Sequence, residues 1–426
     1  MDIQEVVSDS GITAWLVEDH SIPVISVEFA FVDAGSKQDG AKQQGLARML
    51  SNTLDEGAGD LDSQAFQKEL QDLSIGLSFR SSRDDFGGSL KTLSKHKARA
   101  FELLHLALTE PRFDNEAIAR MRKANQARIR SSLSDPDWIA ARLMNDVAFA
   151  GHVYGLNSGG TLSSLEGIKA EDLQAFRQSY LGRNNLRVAV SGDITADALK
   201  SVLDAVFSDL PEVSIQTPDR IAVQNVGKIF TYDADIPQTI ISLIENGIAR
   251  TDPDYHYAQV LNFIFGSSGF GSRLTEEIRE KRGLTYGVYS QFLNMDHLNA
   301  LSISTSTKNE NVAEVLLIIR GEIEKILALP VTPEELNDAK AYLIGSLPLS
   351  LTSTDKIASL LLSLQVDDLP MDYLDTREAV IRSATTDDLS RVAQRILNPN
   401  GFVTLLVGKP QGVSNTTALD ALPNVE

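Results

Sequence analysis

Leu186-Arg187-Val188-Ala189-Val190-Ser191-Gly192 reads as a short apolar strand closed by glycine, and Phe402-Val403-Thr404-Leu405-Leu406-Val407-Gly408 repeats the pattern 216 residues later without a gap. Upstream, Asp172-Leu173 and Asp388-Leu389 stand at the same offset. Each opens a helix with an acidic first turn (Glu171 and Asp172; Asp387 and Asp388). A weaker echo links Pro111-Arg112-Phe113-Asp114 with Pro330-Val331-Thr332-Pro333. Two copies are too few for a solenoid and point to a duplicated domain of roughly 200 residues. Pro211, Thr217-Pro218 and Asn225-Val226-Gly227 interrupt the periodic pattern between the copies. The expected division is residues 1–212, a linker at 213–228, and residues 229–426.

Strand candidates are Ile12–Val17, Val24–Phe31, Thr239–Ile244, Tyr286–Phe292 and Leu301–Ser306. Within each half, strands come first, then long helices, then a return strand. That order predicts an α+β fold: two homologous domains, each a mostly antiparallel or mixed sheet covered by helices on one side.

The bulk composition excludes several classes. A net charge of −19 over 426 residues gives no basic footprint for nucleic acid. Zero cysteines leave no disulfide, no thiolate nucleophile and no Cys-ligated metal. No apolar run approaches the ~20 residues needed to span a bilayer. Met1-Asp2-Ile3-Gln4-Glu5 does not resemble a signal peptide. No nucleophile triad or carboxylate pair stands out.

Gly45-Leu46-Ala47-Arg48-Met49-Leu50-Ser51-Asn52 reads as a helix that buries Leu46, Met49, Leu50, Thr53 and Leu54. Its neighbouring face carries Arg48, Ser51 and Asn52 at i, i+3 and i+4, the spacing at which H-x-x-E-H presents two imidazoles and a general base to zinc. Arginine stays protonated and cannot donate a lone pair to a metal. None of the six histidines supplies a pair four residues apart.

Two further stretches lie in the second half. Gly266-Ser267-Ser268-Gly269-Phe270-Gly271-Ser272 is glycine-rich but lacks the Gly-Lys-Ser/Thr ending of a phosphate cradle. A plain strand-to-helix connection explains it as well as a ligand loop does. In Ile278-Arg279-Glu280-Lys281-Arg282-Gly283-Leu284-Thr285-Tyr286-Gly287-Val288, the spacing puts Arg279 in the last turn of a helix stopped by Gly283. Tyr286 then opens the next strand. On residues alone, Arg279 paired with Glu276 or Glu277 and a core Tyr286 fit equally well.

Together these motifs resemble the pitrilysin, insulinase and processing-peptidase family of zinc peptidases (M16) over nearly the whole chain. The family helix commonly reads G-L-A-H-x-x-E-H. Here Gly45-Leu46-Ala47 match, while Arg48, Ser51 and Asn52 take the His, Glu and His places. The family's third ligand is a glutamate, and the matching position, 76 residues beyond Asn52, is Arg128. Arg279 and Tyr286 match the family's arginine–tyrosine motif. The resemblance therefore implies a non-catalytic subunit of a heteromeric zinc peptidase, inactive alone and holding no metal. Zinc would sit on a sister chain with an intact H-x-x-E-H, to which this chain lends Arg279 and Tyr286. It also implies that Gly266, Gly269 and Gly271 face a peptide substrate. A homodimer of the isolated chain and a periplasmic location, with the cytoplasm as the alternative, complete the expectation. A structural or peptide-binding scaffold like the core proteins of respiratory complexes is the competing reading. His152-Val153-Tyr154-Gly155 resembles a family turn and reads as structural.

Overall fold

The computed structural model describes residues 1–269 and 271–426. Two six-stranded mixed sheets share the order of five strands, and the sixth, at one edge, comes from the start of the chain in the first sheet and from its end in the second. The first runs Gln4–Val7, Thr13–Glu18, Leu186–Gly192, Val24–Phe31, Phe86–Leu93, Gly76–Ser81. In the second, Thr416–Ala418 lies at one edge, followed by Ile229–Asp233, Val403–Gly408, Gln238–Asn246, Leu298–Lys308 and Val288–Met295. The two repeat strands occupy equivalent places. Each pairs parallel with one neighbour and antiparallel with the other.

Local chemistry repeats with the topology. Asp172 accepts the Lys169 N–H at 2.9 Å, and Asp388 accepts the Thr385 N–H at 3.0 Å, closing the same helix N-terminal box in both copies. Gly192 and Gly408 end their strands at φ +129° and +144°. A Cβ there would lie 2.1 Å from the Val24 carbonyl oxygen and 2.7 Å from Thr239 Oγ1, so a side chain has no room.

Helices on one side is only half of the arrangement. One face of each sheet packs on the helices of its own half. Against the other face lies one helix from the opposite half. Pro136–Ala148 places Ile139, Leu143 and Val147 on Ile244, Val403 and Leu405 of the second sheet. Thr354–Val366 places Leu361, Leu362 and Leu364 on Trp15, Ala30 and Ala189 of the first. A sheet strand with both faces apolar needs two covers, and the duplicated chain supplies the second by exchange. The segment 213–228 is also packed rather than loose. Val223 is buried, and the Ile221 and Gln224 N–H groups donate to the His297 and Ala148 carbonyls.

A polar knot joins the halves at one point. Lys37, whose side chain is fully buried, reaches Asp33 at 2.5 Å, Asp296 at 2.7 Å and Asp84 at 3.3 Å. Burial alone would lower its pKa, but the bonds to Asp296 and Asp33 outweigh that and hold it up. Tyr154 donates to Asp84 and accepts the His297 N–H, so the His152–Gly155 turn is indeed structural. Asp33, Asp296 and His297 converge closely enough to hold a cation, and the Lys37 ammonium already fills that role.

Candidate functional site

Asp39 fixes the first site helix, Leu46–Ser51, by accepting the Gly45 and Ala47 N–H groups at 2.8 and 3.0 Å. Gly45 precedes the helix at φ +86° and packs on the backbone of Gly160, where a Cβ would come within 2.7 Å. Leu46, Met49, Leu50, Thr53 and Leu54 are all buried, as the periodicity predicts. The three positions of the zinc frame then diverge. Ser51 is buried and donates back to the Arg48 carbonyl at 2.8 Å. Asn52 caps the helix and accepts from Asn125 at 2.9 Å. Only Arg48 of this helix reaches the adjoining cavity.

That cavity, of ≈ 280 Å³, brings Arg48 together with Arg128 from the Asn115–Ser132 helix. The sequence frame aligned the two, and the fold puts them in one place. It adds Arg83, from the turn between Gly76–Ser81 and Phe86–Leu93, and Arg142 from the exchanged Pro136–Ala148 helix. Sequence reading missed both, because no local pattern marks a residue delivered from a turn and a distant helix. Burial, and then Arg128 nearby, push the Arg48 pKa down; burial and Arg142 do the same to Arg83. Among the described residues, no carboxylate pairs with Arg48, Arg83 or Arg128; Arg142 alone bonds one, Asp146 at 2.6 Å. The donor set of two arginines, an inward-bonded serine and a capping asparagine does not fit zinc, which needs lone-pair donors and no adjacent cations.

The second site element is a helix of widened turn, Thr275–Glu280, following a similar one at Phe263–Ser267. Such turns recur at functional positions. Gly283, at φ +63°, ends the helix by donating to the Arg279 carbonyl at 2.9 Å, and the Leu284 N–H bonds the Ile278 carbonyl. Arg279 is thus in the last turn, as expected. Lys281 and Arg282 hold Glu277, drawing its pKa down to about 2 through their hydrogen bonds. Arg279 Nε lies 3.5 Å from Glu280 Oε1, so pairing with Glu276 or Glu277 is not what forms.

Tyr286 departs from the expected strand opening. The strand starts two residues later, at Val288. Thr285 Oγ1 pins the turn, accepting the Gly287 N–H at 3.2 Å and bonding the Ser306 carbonyl at 2.8 Å. From that fixed backbone the Tyr286 side chain projects outward, 84% exposed, which removes the core reading. Neither Arg279 nor Tyr286 lines the arginine cavity.

The glycine loop divides. Gly266 is buried inside the widened turn, where a Cβ would meet Ser290 Oγ at 2.6 Å and Leu274 Cδ1 at 2.9 Å. It is a packing glycine and presents nothing to a substrate. Gly269 and Gly271, at φ +68° and +88°, have open space where a Cβ would stand. Phe270, between them, lies outside the described residues.

Comparison with known proteins agrees with this geometry. Residues 17–159 match the model of the insulinase family (peptidase family M16), and residues 167–343 match the peptidase M16 inactive domain. The chain is 30% identical over 346 residues to the "non-peptidase homolog YmxG" of Helicobacter pylori, covering 78% of this chain and 77% of that one. It is 23% identical to a probable mitochondrial-processing peptidase subunit beta of Schizosaccharomyces pombe, over 95% and 91% of the two chains. A crystal structure described as a peptidase M16 inactive domain, from Pseudomonas fluorescens, superposes with a TM-score of 0.89 at 27% identity, over 96% of this chain and 99% of that one. This chain belongs to the M16 peptidase family.

Proposed function

We propose that the chain is the non-catalytic subunit of a heteromeric M16 peptidase. It lends Arg279 and Tyr286 to the active site of a zinc-binding sister chain and walls half of the space around an unfolded peptide. The supporting observation is Tyr286: a large aromatic side chain, 84% exposed, on a turn pinned by Thr285 and next to the helix that carries Arg279. A rigidly presented phenol with no hydrogen-bond partner among the described residues suits a bond made outside its own chain. The sister chain's zinc would supply the activated water. Tyr286 would donate its hydroxyl proton to the carbonyl oxygen as charge gathers there, and the Arg279 guanidinium would orient the same peptide. The chain's own metal positions contribute no ligand.

Two measurements test this reading. Elemental analysis of the isolated chain should find no stoichiometric zinc, and the isolated chain should cleave no peptide. Mixed with a sister chain carrying H-x-x-E-H, it should form a complex that cleaves. Chelator-sensitive zinc near one per isolated chain would sink the reading. A complex that forms and stays active without Arg279 or Tyr286 would instead leave a scaffold of the core-protein kind.

A further inference from the structure

The arginine cavity has a charge imbalance that the proposed trans role leaves unused. In a chain of net charge −19, Arg48, Arg83, Arg128 and Arg142 line one space of ≈ 280 Å³, and among the described residues only Arg142 bonds a carboxylate. Among the described residues, three buried donors of the lining lack an acceptor: Arg83 Nε, Arg142 Nε and Asn157 Nδ2. Asn157 and Arg142 are 7% and 8% exposed, so bulk water does not serve those atoms. Each such orphan destabilises the unliganded fold, and the like-charged neighbours add to that. Every missing partner is an acceptor, and the missing charge is negative.

We propose that this cavity binds an oxyanion, the carboxylate of a peptide held against this half of the chain. Guanidinium forks match a carboxylate in two-point geometry, and several of them converge here. The mouth is open at Arg128, an exposed side chain, so a group carried on a chain can enter. Trp138 and Ile129 line the same space and offer apolar contact that a bare inorganic ion would not use. Two of the four zinc-frame positions, Arg48 and Arg128, line this cavity, so guanidinium cations stand where the resemblance implies metal ligands. The assignment of the ligand to a peptide rests on the proposed function; the oxyanion chemistry does not.

The test uses the isolated full-length chain and the fluorescence of Trp138. The probes are N-acetylated tetraalanine with a free carboxylate, the same peptide as its C-terminal amide, N-acetyl-Ala-Glu-Ala-Ala amide, and inorganic phosphate. At least one carboxylate peptide should bind, more weakly at high salt, with the tetraalanine amide about ten-fold weaker or worse, since each lost charged hydrogen bond accounts for about that factor. Arg128→Gln and Arg48→Gln should weaken binding by a similar factor yet raise the Tm of the free chain by relieving repulsion. Neither side chain makes a hydrogen bond within the chain among the described residues, so both variants should fold. A merely structural pair of arginines would lower Tm on substitution. Equal binding of acid and amide, or affinity unaltered in both variants, would overturn the proposal. Phosphate binding without peptide binding would overturn the peptide as the source of the anion. Because no sister chain is present, failure here leaves the Tyr286 role standing, and failure of that role leaves this site standing.

Discussion

Tyr286 and Glu245 show how far single residues depart from pattern. Tyr286 sits where alternation predicts a strand residue, yet it is the most exposed of the large hydrophobic side chains among the described residues. Glu245 is the reverse: it lies inside strand Gln238–Asn246, 4% exposed, with Oε1 lacking a partner. Burial pushes its pKa up to about 8, against an ordinary value of 4.5, so the folded chain holds a neutral acid there at pH 7. Between those values the native state keeps a proton that the unfolded chain has released. Stability therefore falls as pH rises through that window, by up to about 1.4 kcal/mol per pH unit, and levels off above it. Glu245→Gln should flatten this slope in urea titrations run from pH 5 to 9. An unchanged slope would mean the carboxyl is ionised in the folded chain.

At the scale of elements, the glycine loop shows where sequence stops being legible. Gly266, Gly269 and Gly271 look alike in sequence, but only a structure distinguishes a glycine that makes room for Ser290 and Leu274 from two that take left-handed φ in the open. Gly266→Ala should destabilise the chain by about 1–3 kcal/mol through overpacking, measured as a lower urea midpoint at constant slope. Strand Leu186–Gly192 was legible because an apolar run ending in glycine carries its own signature, and Val24–Phe31 because it is a run rich in Val, Ile and Phe. The Arg48 helix was legible for the same reason, its apolar face repeating at helical spacing. Arg83 and Arg142 were not, since their meaning arises only from three-dimensional convergence on Arg48 and Arg128.

Across the whole molecule, duplication was readable and exchange was not. A constant offset reports ancestry of the two halves, while no sequence period tells which sheet a helix such as Thr354–Val366 will cover. The exchange makes the halves one cooperative unit. Residues 1–212 alone lack the cover over Trp15, Ala30 and Ala189 and should expose that face, binding a hydrophobic dye and aggregating, whereas the full chain should melt in a single calorimetric transition. Lys37 ties the same halves electrostatically. Lys37→Met would leave Asp33, Asp84 and Asp296 facing one another with no cation among them, a loss of about 3–5 kcal/mol. Part of that loss should return on acidification, because burial raises the Asp296 pKa and its protonation removes one of the repelling charges, and thermal melts across pH would read it.

The proposed division of labour between two chains would make the metal-binding half of the chemistry dispensable here and the oxyanion-binding half indispensable. The most direct measurement is kcat of the assembled complex with Tyr286→Phe in this chain and the sister chain unaltered, with assembly checked by size-exclusion chromatography. The account predicts a complex of normal size whose kcat falls by about 10²–10³, the usual effect of removing one oxyanion donor. A fully assembled complex with unchanged kcat would contradict it.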